Sequence, residues 1–216
     1  MIREARYASA PLLGLPLARA HGYELVDTSG RHYVDCCAGQ GAVVLGHTHE
    51  EVNAAIAAQL SRYAGPGFVA HDTQHAAAAA LNALLPDTLR CAVFTTSGSE
   101  SVDLAVRTAR AYHGAGQVLA FRGHFHGKTH GAMFLLETYP NAYGPRPPTY
   151  ACHADDAGDA QAPGLDEAAF LRMLAEQPAD RLCAVIAEPV VGYSGPYAPP
   201  DWWWPCLRRW CTKHRI

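Results

Sequence analysis

Lysine is almost missing from this chain: of its 216 residues only Lys128 and Lys213 are lysine. Positive charge rests on arginine instead, and 17 Lys+Arg against 20 Asp+Glu give a formal net charge of -3. No basic stripe supplies the electrostatic footprint of a nucleic-acid or acidic-membrane partner, so neither is expected. Long apolar runs are also lacking. None approaches the roughly 20 residues of a membrane span. Arg3 and Arg6 precede an apolar stretch, but Glu4 lowers that charge and Pro11, Gly14 and Pro16 break the run, so no signal peptide is expected. The seven cysteines are odd in number and contain no Cys-x-x-Cys pair. That argues against a zinc ribbon or a disulfide framework and points to a reducing cytoplasm.

Apolar residues make up 49% of the chain, an ordinary globular share. Their spacing changes along the sequence. Tyr23–Asp27 and His32–Cys36 read as the arms of a β-hairpin around Thr28-Ser29-Gly30. From Glu50 to Arg62 the positions Val52, Ile56, Ala57 and Leu60 fall at helical spacing. Asp72 suits the cap of a second helix through the alanine run to Leu85, before Pro86. Cys91–Thr95, Gln117–Phe121 and Leu182–Ala187 are short apolar strand runs. Helical patterns stand between them: Val102, Val106, Ala109 and Tyr112 in one, and Asp166–Glu176 with Asp166 as cap in the other. Strands alternating with helices predict an α/β fold with a mainly parallel sheet. Residues 137–164 are rich in Pro, Gly, Ala and Asp and read as a long surface loop.

Three loops carry candidate chemistry. Thr95-Thr96-Ser97-Gly98-Ser99-Glu100 leaves a strand and enters a helix. Ser97 with Glu100 fits a capping box. The same stretch suits a phosphate, because free N–H groups at a helix start point outward and Gly98 permits close approach. Both readings stand at this level, and no GKS or GKT follows to make a P-loop. The second loop, Phe121-Arg122-Gly123-His124-Phe125-His126-Gly127-Lys128-Thr129, leaves the carboxyl end of a strand, where ligands of α/β sheets sit. Phe125 is suited to stack on a planar ring and His126 to donate a hydrogen bond. A metal held by His124, His126 and His130 would need a further ligand of correct geometry, and none is expected. The third is Ala187-Glu188-Pro189-Val190-Val191-Gly192, whose carboxylate could orient a cofactor group or simply cap a strand end. His47-Thr48-His49 suits a helix start, and Cys152-His153-Ala154-Asp155 suits the long loop better than a metal site.

In order and spacing these motifs are similar to class III aminotransferases. The resemblance runs from about Gly22 to Ile216. It is carried by the hairpin Asp27–Asp35, Leu45-Gly46-His47-Thr48-His49, Ser97-Gly98-Ser99-Glu100, Phe125-His126-Gly127-Lys128-Thr129 and Glu188-Pro189-Val190. It implies an incomplete large domain of the pyridoxal-phosphate transferase fold over residues 46–216, preceded by an N-terminal hairpin segment over 1–45. It implies pyridoxal 5'-phosphate as cofactor and transamination between a small-molecule amino donor and a 2-oxo acid. By resemblance Gly98 and Ser99 bind the cofactor phosphate with Ser97 nearby, Phe125 stacks on the ring with His126 beside it, and Glu188 belongs to the shell around the ring nitrogen. Gln40 and Tyr193 correspond to substrate-side positions.

The departures are specific. The family's ring-nitrogen aspartate and cofactor-bound lysine lie beyond the matching motifs. Neither Lys128, in the phenylalanine loop, nor Lys213, in the helix-like tail, matches that lysine, so no catalytic residue is expected in this chain. Tyr193 stands where members using 2-oxoglutarate carry a gating glutamate. Gln40 and Ser194-Gly195 resemble dialkylglycine decarboxylase, which makes decarboxylating transamination an alternative. A non-catalytic interaction protein is another. The expected partner is a second copy or a complementing C-terminal half, and Trp202-Trp203-Trp204 with Trp210 are expected to add to an exposed apolar patch.

Overall fold

The computed structural model describes residues 16–65, 67, 69–89, 91–136, 151–154 (backbone), 166–192 and 197–216. The chain divides into two compact units, Met1–Arg90 and Cys91–Ile216.

In the first unit the hairpin is present with an additional strand. β1 (Leu17–His21), β2 (Glu24–Asp27) and β3 (His32–Val34) form an antiparallel sheet in that order. The arms are shorter than the alternation predicts, because Tyr23, Asp35 and Cys36 lie outside the ladder. Asp27 builds the turn. Its carboxylate accepts the Ser29 N–H and hydroxyl, the Arg31 N–H and the Tyr33 hydroxyl. Those donors, the Ser29 hydroxyl first, hold its pKa down to about 2. Gly30 supplies the left-handed φ of 83° that the turn needs.

A second turn follows β3. Ala38, Gly39, Gln40 and Gly41 all have positive φ, from 48° to 82°. Two of the four carry a Cβ, which costs roughly 1–2 kcal/mol per residue. Asp35 offsets that cost by accepting the N–H groups of Cys37 at 2.8 Å and Gly39 at 3.2 Å. Two helices follow among the described residues: α1 (Glu50–Arg62), at the predicted bounds, and α2 (Asp72–Asn82). Asp72 is the first residue of α2 rather than its cap. His71 caps it, accepting the Gln74 N–H, while Asp72 pairs with Arg62. His49 stands at the cap position of α1 without a side-chain cap bond.

The second unit is the α/β layer. β4 (Gln117–Phe121) lies between β5 (Ala151–Ala154) and β6 (Leu182–Ile186), and both pairings are parallel. β4 is apolar on both faces, as a central parallel strand must be. Val118 and Ala120 point to one side, with Val106 of α3 (Gly98–His113), Leu135 and Cys183. Leu119 and Phe121 point to the other, with Phe170 and Leu174 of α5 (Glu167–Ala175) and Trp203, Cys206, Leu207 and Trp210 of α6 (Trp203–His214). Asp166 caps α5 as predicted, accepting the Ala169 N–H at 2.8 Å. A short helix, α4 (His130–Met133), follows the loop after β4.

Three further expectations need correction. Cys91–Thr95 is not a strand: no described strand takes its hydrogen bonds, and Val93 and Phe94 are exposed. Apolar composition favours a strand but cannot supply its partner. The stretch 137–164 is not wholly loop, since β5 forms within it. The tryptophans are core rather than patch. Trp203 is fully buried, stacked on Phe170 at 5.1 Å and edge-on to Phe121 at 5.0 Å, and Trp210 is buried, leaving Trp204 as the exposed one.

Candidate functional site

The first turn of α3 is built by its own side chains. Ser97 caps the helix, its hydroxyl accepting the Glu100 N–H at 3.2 Å. Glu100 reaches back to the Thr96 N–H at 2.8 Å and the Thr96 hydroxyl at 2.6 Å, which lowers its pKa. This capping box is closed one residue earlier than the usual pattern. It leaves the N–H groups of Gly98 and Ser99 without an acceptor among the described residues. A Cβ on Gly98 would meet nothing within 4 Å, so the space in front of those donors is open. Two free donors, an unobstructed glycine and a helix dipole fit a phosphate group.

The loop after β4 is fastened at both ends. At one end the Lys128 N–H donates to Ser99 Oγ at 2.9 Å. Gly127 is pressed so close to Ser99 that a Cβ there would lie 2.5 Å from its Oγ and 2.9 Å from its Cα, at a φ of +127°. At the other end the Phe125 N–H donates to Glu188 Oε2 at 2.8 Å, and the Glu188 N–H donates to His124 Nδ1 at 2.8 Å. The structure thus brings Ser97, Gly98, Ser99, Phe125, His126 and Glu188 into one connected stretch at the carboxyl ends of β4 and β6. His126 is buried and Phe125 half-buried. Gln40 belongs to the first unit and sits in the left-handed turn. Tyr193 lies outside the described residues.

Sequence reasoning missed two participants. His124 was weighed only as a metal ligand, yet its Nδ1 is an acceptor for Glu188; among the described residues no group of three or more His, Cys, Asp or Glu could hold a metal. Gly127 stands inside the phenylalanine-loop motif but has no role in the sequence reading, and without it the loop could not approach Ser99. Both lysines are exposed.

Fold and site together define an α/β protein with two uncommitted N–H groups at a helix start beside an aromatic loop. The family model for class-III aminotransferases matches residues 6–216, and the chain belongs to that family. Among curated relatives, it is 30% identical to an isoleucine 2-epimerase of Lentilactobacillus buchneri, over 98% of this chain and 50% of that protein. It is 30% identical to an acetylornithine aminotransferase of Methanopyrus kandleri, over 97% of this chain and 51% of that protein. Among solved structures, an (S)-enantioselective omega-transaminase from Thermomicrobium roseum superposes with a TM-score of 0.82 at 31% identity, covering 94% of this chain and 49% of that one. A PLP-bound amine transaminase from an uncultivated Pseudomonas species gives 0.81 at 28% identity, covering 100% and 54%. The chain therefore spans about half the length of the curated relatives it matches. Equal identity to an epimerase and an aminotransferase means that similarity identifies the family and not the substrate. Among the described residues no helix is long and apolar enough to cross a membrane.

Proposed function

We propose that this chain supplies the phosphate-binding and ring-supporting part of a pyridoxal-phosphate-dependent transaminase, which moves an amino group from a small-molecule donor to a 2-oxo acid. The Ser99–Lys128 hydrogen bond carries this reading, because it joins the phosphate-type helix start to the aromatic loop that the Glu188 carboxylate holds from its far side. When bound, pyridoxal phosphate supplies an electron sink for charge developing next to the substrate nitrogen. The chain's residues do the holding. The Gly98 and Ser99 N–H groups take the phosphate, with Ser97 fixing the turn. Ser99 Oγ already accepts from Lys128, so its own proton is free to donate to an anion. Phe125 covers the ring face and His126 donates a hydrogen bond beside it. Glu188 has one oxygen committed to the loop, and it acts by positioning Phe125 and the surroundings of the ring nitrogen. By the family resemblance, Gln40 and Tyr193 are assigned to the substrate side.

In this reading residues 1–45 form the N-terminal segment and 46–216 the first part of the cofactor-binding domain. Neither exposed lysine is the family's cofactor-bound lysine, so the chain by itself turns nothing over. It works as a homodimer or with a complementing C-terminal half, in a reducing cytoplasm, a reading supported by the odd cysteine count and the lack of a Cys-x-x-Cys pair. The test mixes purified chain with pyridoxal phosphate, records absorbance, reduces with borohydride and maps the labelled peptide. Cofactor binding lost in Gly98→Pro, with no turnover of any amino donor, is the expected result. Reduction onto Lys128 or Lys213 together with turnover would overturn the inactive-chain reading. Carbon dioxide release from a 2,2-dialkylglycine, once a lysine-bearing half is added, would select the decarboxylating alternative. Absence of any cofactor binding would favour a non-catalytic interaction protein.

A further inference from the structure

Cys36 and Cys37 are adjacent, exposed and free, and the proposed function uses neither. They stand between the end of β3 and the left-handed turn of residues 38–41. Asp35 secures that turn. It accepts the Cys37 N–H at 2.8 Å, the Gly39 N–H at 3.2 Å and His47 Nε2 at 2.8 Å. Ala38 and Asp35, with Tyr23, Leu45 and His47, line a cavity of about 310 Å³. An adjacent pair of exposed thiols thus adjoins the anchor of a strained segment, and that segment walls a cavity. The other described cysteines are placed differently: Cys183, Cys206 and Cys211 are buried, while Cys91 is exposed but solitary in sequence.

We propose that Cys36 and Cys37 form a reversible modification site, a vicinal dithiol that a small-molecule disulfide oxidises to a ring disulfide, releasing the Asp35 clamp. The first thiolate attacks one sulfur of the small disulfide, whose S–S bond breaks and whose other half leaves as a thiol. The neighbouring thiolate then attacks the mixed disulfide, forming the Cys36–Cys37 bond and expelling the second thiol. Two protein thiols are oxidised, one small disulfide is reduced to two thiols, and the two protons leave with them. The second step is intramolecular, so the neighbouring thiol outcompetes a second external one.

Ring closure reaches the clamp through geometry. Adjacent Cα atoms stand about 3.8 Å apart across a trans peptide, shorter than the roughly 4.4–6.8 Å that a relaxed disulfide spans. That spacing is fixed by covalent geometry, so the ring closes only by straining the disulfide and by turning the 36–37 peptide through ψ of Cys36 and φ of Cys37. That peptide carries the Cys37 N–H held by Asp35, so oxidation withdraws it and loosens the turn that Gly39 shares. An exposed, strained disulfide is also readily reduced again, as a reversible site requires.

The experiment treats the reduced full chain with excess oxidised glutathione, digests it and maps the adducts by mass spectrometry. The expected result is a peptide containing residues 36 and 37 that is two hydrogens lighter and carries no glutathione. Cys91 keeps one glutathione as an internal control. Cys36→Ser and Cys37→Ser each retain glutathione on the remaining cysteine. Hydrogen exchange at the Cys37 and Gly39 amides rises about tenfold on oxidation, as loss of one hydrogen bond predicts, and dithiothreitol reverses it. Stable glutathione on Cys36 or Cys37 of the unaltered chain, a cross-link from either to another cysteine, or unchanged amide exchange after ring formation would each overturn the proposal.

Discussion

Ser99 Oγ lies 2.9 Å from the Lys128 backbone nitrogen and accepts its hydrogen, joining the first turn of α3 to the loop that leaves β4. The contact exists because residue 127 has no side chain. Any Cβ there would stand 2.5 Å from the same oxygen, on a backbone with a φ of +127°. Gly127→Ala is therefore expected to destabilise the chain by roughly 1–3 kcal/mol. The urea midpoint measures it, and an unchanged midpoint would mean that the loop does not pack this way.

Ser99→Ala removes an acceptor and a donor while leaving the helix cap on Ser97 intact. Loss of one hydrogen bond at the phosphate is expected to weaken pyridoxal phosphate binding about tenfold. Fluorescence titration against the unaltered chain checks this. Ser99→Thr keeps the hydroxyl and should recover most of the affinity.

Glu188 and the Phe125 N–H form a part-buried pair at 2.8 Å. Glu188→Ala leaves that N–H without its acceptor, at an expected cost of about 1–3 kcal/mol. Glu188→Gln retains an acceptor oxygen and is expected to cost less. Equal losses in the two variants, read by chemical denaturation, would show that charge rather than the hydrogen bond matters here.

Trp203 and Trp204 adjoin in sequence and differ in burial: one is fully buried and the other 38% exposed. Trp203→Ala is expected to cost about 3–5 kcal/mol, as for other buried aromatics. Trp204→Ala should cost much less. Unfolding curves followed by circular dichroism separate the two, and a reversed order would contradict the packing of α6.

Asp27 titrates at about 2 because the Ser29 hydroxyl, the backbone N–H groups of Arg31 and Ser29, and the Tyr33 hydroxyl all stabilise its charged form. A folded value below the unfolded one adds stability that is complete above about pH 4, the ordinary carboxylate value. That stability is lost as pH falls through about 2. Asp27→Asn should therefore be less stable than the unaltered chain at neutral pH, with the difference closing below about pH 2. Amide exchange at Ser29 and Arg31 across that window is the measurement.

Local signals in the sequence located the helices and the candidate loops. Helical spacing bounded α1, and side chains a few residues from the backbone groups they satisfy revealed the caps at Ser97 and Asp166. The order of Ser97-Gly98-Ser99, Phe125-His126-Gly127 and Glu188-Pro189 was enough to indicate the family. None of this depends on distant residues, because capping and periodicity are properties of one turn or one strand. What tertiary structure decided depends on partners far along the chain. Cys91–Thr95 is apolar like β4, yet among the described residues β4 has a strand on each side and Cys91–Thr95 pairs with none. Ala151–Ala154 looked like loop and became a strand because β4 offered it an open edge. Trp203 and Trp210 are apolar in any context, and it took the face of β4 with α5 to bury them. Gly127, His124 and the bond between Ser99 and Lys128 belong to the same class. Their roles rest on two segments about thirty residues or more apart arriving within hydrogen-bond distance, which only the folded backbone determines.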